Sequence, residues 1–225
     1  MTTTGRDRTV QQLEQKEGFW YRPGTSDLQA ISDTRRRFKK ETSVSLGDVV
    51  LDLGAHIGTF TGRALAAGAI RVRAVEPIPD NATLFRRNID DPRVELWEGA
   101  DCLSETGEET IWMNQKKGTD SHSLIVKRGR VPLVVKAFSL AELCKDLDPT
   151  FVKIDIEGGE YLLDVIDSFP ESADRLFIEF HFNNKTCRPQ AEAMRAALID
   201  DLGFRRVWGS RWSEKAWWVE EMFER

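Results

Sequence analysis

Several things are scarce in this chain, and each scarcity closes off a class of protein. Its three cysteines, Cys102, Cys144 and Cys187, are widely spaced and include no Cys-x-x-Cys pair. That pattern suggests neither a disulfide framework nor a thiolate zinc site, and it fits a reducing cytoplasm. No window approaches 18 consecutive apolar residues, so no membrane-spanning helix is expected. The opening stretch, MTTTGRDRTVQQLEQKEGFW, lacks the apolar segment of an export signal. Positive charge is not in excess: 37 Asp and Glu against 32 Lys and Arg give a formal net charge of −5. Such a balance exerts no global pull on nucleic acid or anionic membrane, and it leaves room for a local basic patch. A homo-oligomer is compatible with all of this.

What the chain does have is regular alternation. Residues 1–18 are polar and read as an arm, and residues 19–225 as a single domain able to bury roughly 70% of its unfolded surface. Within it, VVLDLG (49–54), VRAVEP (72–77) and VELWEG (94–99) are strand-like, with helices through Phe60–Ala67 and Pro79–Asn88 between them. This is βαβαβ and implies a parallel sheet. The rhythm breaks across 104–138, where ETIWMN and VPLVVKAF read as the strands of an inserted hairpin or flap. It resumes with the helix SLAELCKDL, N-capped by Ser139, then FVKIDIEG, a helix over Glu160–Asp167, and DRLFIEFH (174–181). A helix across Gln190–Leu202 and two antiparallel β segments, GFRRVWG and KAWWVEE, complete the chain.

The chemistry concentrates where strands end. In FVKIDIEGGE (151–160) a buried strand runs into Asp155, Glu157 and Glu160, an arrangement that is costly unless a cation sits nearby. In VVLDLGAHIG, Asp52 ends a strand, and Gly54 and Gly58 flank a turn that lets a ligand approach the backbone. A dinucleotide fingerprint needs Gly-x-Gly-x-x-Gly, and the middle position here carries His56, which argues against a nicotinamide dinucleotide. Glu76 ends the next strand, where an acid can accept both ribose hydroxyls.

Charge then separates the nucleoside cofactors. With Asp52, Glu76, Asp155, Glu157 and Glu179 at strand ends, a pyrophosphate would be repelled, whereas S-adenosylmethionine brings a sulfonium and an ammonium. One opposite charge at about 4 Å is worth roughly 4 kcal/mol at an effective dielectric near 20, before desolvation.

These segments resemble the FkbM-type methyltransferases of the class I methyltransferase superfamily. The matching residues are Thr25 to Asp27 after Tyr21-Arg22, VLDLGAHIG (50–58), VEP (75–77), SLAEL (139–143) and KIDIEGGE (153–160). The resemblance spans about Phe19 to His181 and departs at His56, where such families often carry Asn. It implies an α/β Rossmann-like fold, with a mostly parallel seven-stranded sheet, one antiparallel strand and S-adenosylmethionine as methyl donor. By the same resemblance Asp52, Gly54 and Gly58 line the methionine end, His56 lies beside them, Glu76 binds the ribose and Asp101 the adenine edge. It also brings Arg22 and Asp27 close to the site.

Asp155 with Glu157, and Glu179 with His181, sit two apart, so each pair shares a strand face if its strand stays extended. Two mechanisms follow. His181 or Asp155 takes a proton from an acceptor hydroxyl held in line with the methyl group. Alternatively, Asp155, Glu157, Glu179 and His181 hold a divalent metal that acidifies the acceptor; the carboxylates bonding to ligand or to helix starts is the favoured reading over metal. Glu160 reads as a helix-start residue. What the resemblance implies as the reaction is methyl transfer to a hydroxyl of a small molecule, such as a sugar or natural-product intermediate. An N-methyltransferase, a non-catalytic nucleotide- or RNA-binding module, and a nicotinamide oxidoreductase are the competing readings. RRRFKK (35–40) is expected to be a solvated helix face, and Trp208, Trp212, Trp217 and Trp218 to pack against the sheet. His122, in the flap, is placed equally well in solvent or against substrate.

Overall fold

The computed structural model describes residues 12–38, 44–102, 107–114, 122–124, 127–182 and 186–225. In chain order its strands are β1 (Glu14–Lys16), β2 (Phe19–Tyr21), β3 (Val49–Leu53), β4 (Arg71–Val75), β5 (Val94–Trp97), β6 (Ala100–Asp101), β7 (Glu108–Met113), β8 (Val131–Phe138), β9 (Phe151–Ile154), β10 (Arg175–His181), β11 (Arg205–Gly209) and β12 (Trp218–Glu224). The helices are α1 (Asp27–Arg37), α2 (Thr59–Ala67), α3 (Pro79–Asn88), α4 (Leu140–Cys144), α5 (Val165–Ser168) and α6 (Cys187–Asp200), with a 3-10 turn at Gly159–Leu162.

Seven strands form the main sheet in the order β11-β12-β10-β9-β3-β4-β5. Every described pairing between neighbours is parallel except those of β12, which runs antiparallel to both β10 and β11. Because β3 and β9 are central and covered on both faces, they read as apolar runs, each interrupted by one charged residue, Asp52 and Lys153. Alternate residues feed two cores. Leu51, Leu53, Val152 and Ile154 pack with Leu143 of α4, Val165 of α5 and Leu198 of α6. Val50 and Phe151 pack on the other face with Phe60 and Ala64 of α2. Ser139 and Glu142 close a reciprocal capping box at the start of α4. The expected hairpin is present: β7 pairs antiparallel with β8, which also pairs with β6 just beyond the main sheet. Residues 103–106, 115–121 and 125–126 of that segment lie outside the described residues. Among the described residues no helix is long and apolar enough to cross a membrane.

Three local expectations give way. Order begins before Phe19, because β1 and β2 form a hairpin turning at Glu17 and Gly18, both with positive φ. The expected helix over Glu160–Asp167 is a 3-10 turn and then α5, split where Leu163 adopts an extended conformation. Of the tryptophans, Trp208 and Trp212 pack against the cores, but Trp217 and Trp218 are 73% and 49% exposed at the start of β12.

The centre of the sheet carries one buried ion pair. Asp52 and Lys153 are direct partners in the β3/β9 register, and Lys153 Nζ lies 3.0 Å from Asp52 Oδ1. Removing one member of such a pair strands a charge in the core. Lys153→Met is therefore expected to destabilise the fold by about 3–5 kcal/mol, with Asp52→Asn in the same chain recovering most of the loss. Urea unfolding of the two variants checks this; a single variant within about 1 kcal/mol of wild type would contradict it.

Candidate active site

The carboxyl ends of β3, β4, β9 and β10 open into a cleft whose far walls are α1, the segment around Asp101, and the flap residues Ile111 and His122 to Leu124. This is where an open α/β sheet binds its ligands. Of the residues singled out in the sequence, Gly54, His56, Glu76, Asp101, Asp155, Glu157 and Glu179 line the cleft.

The turn after β3 is shaped by contact. Gly54 has φ +79°, and a Cβ there would stand 1.9 Å from the Asp155 carbonyl oxygen, so any side chain would push β3 and β9 apart at their ends. His56 also has positive φ, and its backbone N–H donates to Glu76 Oε2 at 2.9 Å. Glu76 Oε1 accepts from Ile78 N and from Asn81 Nδ2. Burial, opposed by these hydrogen bonds, still raises the Glu76 carboxyl to about 7. Arg22 donates to both oxygens of Asp27 and to Asn81 Oδ1, and Asp27 Oδ1 lies 3.4 Å from His56 Nε2. The segment from Tyr21 to Asp27 thus reaches Glu76 through a closed polar ring. Asp101 is buried with Oδ2 lacking a hydrogen bond, and burial followed by the Glu160 charge raises its carboxyl to about 8.

Three of the predicted site residues, Asp52, Gly58 and His181, do not line the cleft; His181 stands behind Glu157 and Glu179. Asp52 points away from the cleft, toward Thr61 Oγ1 at 2.7 Å and Lys153. Gly58 meets the packing of α2 on α3, where a Cβ would contact Ile89 and Phe85.

The reacting-end cluster holds a cation that sequence reasoning placed in solvent. Glu179 and Glu220 are direct partners in the β10/β12 register, a like-charge pairing that needs compensation. Arg37, the last residue of α1, supplies it: its guanidinium lies 2.7 Å from Glu179, 2.7 Å from Glu220 and 3.4 Å from Asp155. RRRFKK is therefore not a uniform solvated face. Arg35 and Arg36 are exposed, Arg37 is largely buried, and Phe38 packs on Phe60 and Phe177. Lys39 and Lys40 lie outside the described residues.

Burial works against the Asp155 charge, but Lys153 and Arg37 outweigh it and hold the carboxyl below the usual range. For Glu179, burial and then the Asp155 charge prevail, and its carboxyl stands well above the usual range. His181 Nδ1 is 2.6 Å from Glu160 Oε1, and Nε2 faces Glu179 and Glu157 at 3.5 and 3.6 Å. Burial opposes its charge, yet Glu160, Glu157 and Glu179 raise its pKa well above the ordinary value. Glu160 is not a helix cap: its side chain is fully buried and bonded to His181. His122 lines the cleft, with Nδ1 accepting from Asn114 N.

The sheet order, the lone reversed strand and the cleft at the parallel strand ends define a class I methyltransferase-like Rossmann fold. The Methyltransferase FkbM domain matches residues 52–206, and the chain belongs to that family of S-adenosylmethionine-dependent methyltransferases. No curated protein matches the sequence significantly. Among solved structures, the chain is similar to precorrin 8w decarboxylase from Methanobacterium thermoautotrophicum, at 16% identity and TM-score 0.49, over 90% of this chain and 92% of that one. It is also similar to ribosomal protein L11 methylase from Lactobacillus delbrueckii subsp. bulgaricus, at 16% identity and TM-score 0.48, covering 91% and 83% of the two chains. A third is the C-terminal domain of precorrin-6Y C5,15-methyltransferase from Rhodobacter capsulatus, at 15% identity and TM-score 0.46, covering 82% and 84%.

Arg37 lowers the carboxyls of Glu179 and Glu220, which burial raises. Arg37→Ala is expected to cost about 3 kcal/mol near pH 8, where three carboxylates lose their partner. The deficit shrinks toward pH 5 as the raised carboxyls take up protons and no longer need compensation. Thermal melts of wild type and variant across that range check it, and a pH-independent difference would contradict it.

Proposed function

We propose that this enzyme transfers a methyl group from S-adenosylmethionine to a hydroxyl oxygen of a small molecule, such as a sugar or natural-product intermediate. The observation that carries the oxygen acceptor is the pair of carboxylates, Asp155 and Glu179, bridged by Arg37 on one wall of the cleft. An amine attacks through its own lone pair, whereas a hydroxyl must shed a proton, and two adjacent carboxylates give that proton a destination.

The residues present fit the cofactor. Asp101 offers a buried, unbonded oxygen suited to an adenine amino group, and the ring of Arg22, Asp27, Asn81 and His56 fixes Glu76 for the ribose. Gly54 lets the ends of β3 and β9 close together, and both it and Asp155 line the cleft where the methionine portion would lie. When bound, the cofactor supplies an electrophilic methyl group on sulfur. Asp155, kept ionised, faces positive charge; Glu179, within reach of the same space, accepts the hydroxyl proton; Arg37 holds the two carboxylates apart and oriented. Asp52 acts at one remove, by fixing Lys153 behind the Gly54 turn.

A small acceptor in the cytoplasm is favoured over nucleic acid. Asp33, Glu76, Asp101, Asp155, Glu157 and Glu179 line the cleft against Arg37 and Lys153, and a phosphate backbone would be repelled.

Asp155→Ala is expected to abolish S-adenosylhomocysteine formation, and Glu179→Gln to lower turnover by about 10²–10⁴-fold with little change in cofactor affinity. Near-normal turnover in the folded Asp155 variant would contradict the assignment. Carbon-13 labelling of the transferred methyl distinguishes an O-methyl from an N-methyl product.

Cofactor affinity should also depend on pH. Glu76 and Asp101 stand at about 7 and about 8 before binding, and donors from ribose and adenine stabilise their ionised forms. Binding then releases protons, so S-adenosylhomocysteine affinity rises from pH 6 and levels off above pH 8. Calorimetry in buffers of different ionisation heat measures the proton release; a flat affinity would exclude both contacts.

A further inference from the structure

Asp155, Glu157 and His181 bring three potential ligand atoms within 4.8 Å of one another, among the described residues. The imidazole gives this group its meaning. His181 is more than nine-tenths buried, and its Nδ1 is committed to the fully buried Glu160 at 2.6 Å. Its Nε2 points at two carboxylates, Glu179 Oε1 at 3.5 Å and Glu157 Oε2 at 3.6 Å, without a described hydrogen bond. If Nδ1 donates to Glu160, a bare Nε2 lone pair would confront two anions. Something positive belongs between them, either a proton or a metal ion.

We propose that this position binds one divalent cation of the Mn²⁺ or Mg²⁺ type, held by Asp155, Glu157 and His181 Nε2, with Glu160 as the carboxylate that orients the histidine. A carboxylate bonded to the far nitrogen of a ligating histidine is a recurrent feature of such centres, because it fixes the tautomer and makes the ligating nitrogen more basic. Two carboxylates and one imidazole, without a thiolate, suit a hard or borderline octahedral ion. Three protein ligands leave positions open for water or for a pair of acceptor hydroxyls.

Charge favours the metal over a lone proton. Asp155, Glu157, Glu160, Glu179 and Glu220 crowd this end of the sheet, while Arg37 and Lys153 face them, with Arg130 acting on Glu157 and His56 on Asp155, and Lys153 is already paired with Asp52. The site depends on the proposed methyl transfer only in its use of the acceptor, so it can be tested separately.

Electron paramagnetic resonance titration of the metal-free full chain with Mn²⁺, without cofactor or acceptor, should show one ion per chain with a dissociation constant below about 100 μM, displaced by millimolar Mg²⁺. Glu157→Gln should weaken binding at least tenfold, and Glu160→Gln, which touches no metal, by about 10–100-fold through the histidine. Circular dichroism melts establish that each variant is folded. S-adenosylhomocysteine binding, followed by calorimetry on the same samples, should be retained in both. Absence of stoichiometric Mn²⁺ binding up to 1 mM, or binding unaffected by both substitutions, would overturn the proposal and leave His181 as a buried imidazolium. Mn²⁺ binding without S-adenosylhomocysteine binding would uphold the metal site and instead count against the cofactor reading.

Discussion

The geometry of the cleft hangs on the ammonium of Lys153. Its Nζ lies 3.0 Å from Asp52 Oδ1, 3.1 Å from the Leu53 carbonyl and 3.0 Å from the Gly54 carbonyl. One buried cation therefore ties the end of β9 to the end of β3 and to the turn that leaves it. A charge in so dry a place is tolerated only because its three donors all find acceptors. The turn it fixes is the one where Gly54 backbone and Asp155 backbone approach too closely for any side chain, so the position of Asp155 follows from the pair behind it.

Arg37 has the corresponding role on the neighbouring strand, β10. Like charges stand opposite each other in the β10/β12 register, and a guanidinium reaches both because it is planar and multivalent, where a lysine would offer a point charge. This explains why α1 ends where it does: Phe38 anchors the helix terminus on Phe60 and Phe177, and Arg37 turns inward beside it. The two cations divide the acids into those kept ionised, such as Asp155, and those made more basic by burial, such as Glu179. Placing carboxylates of unequal basicity side by side is the condition that general acid–base chemistry requires.

Much of the fold was legible because it rests on local pattern. The alternation of apolar runs and amphipathic stretches yields the parallel strands, and the Ser139 cap and the Gly54 turn follow from residue type. α1 was not legible as an element: DLQAISDTRRR offers few apolar positions, and Asp27, Ile31 and Thr34 bury one side of it through contacts made elsewhere. Within the site, acids at strand ends could be found by period and position. Their cations could not, since Arg37 is paired with residues more than a hundred positions away and sat in a run of charges resembling a solvated face. Lys153 did leave a signal, a lysine inside the otherwise apolar FVKI, and Asp52 inside VVLDL is its mirror; a buried charge on one central strand implies an opposite one on its neighbour.

The same limit governs Glu157. Period-two reasoning puts it on a face with Asp155 by assuming an extended strand, but β9 ends at Ile154, and Glu157 and Gly158 take positive φ values of 56° and 98°. A non-glycine residue in that region costs free energy and persists only where its surroundings over-determine it. Here the Glu157 carbonyl accepts from Ser123 of the flap, and the side chain is carried toward His181. The flap and the sheet are thereby coupled at the residue whose backbone is least at ease, so changes in the flap sequence would reach the reacting end of the cleft through Glu157 without altering the strands that support it.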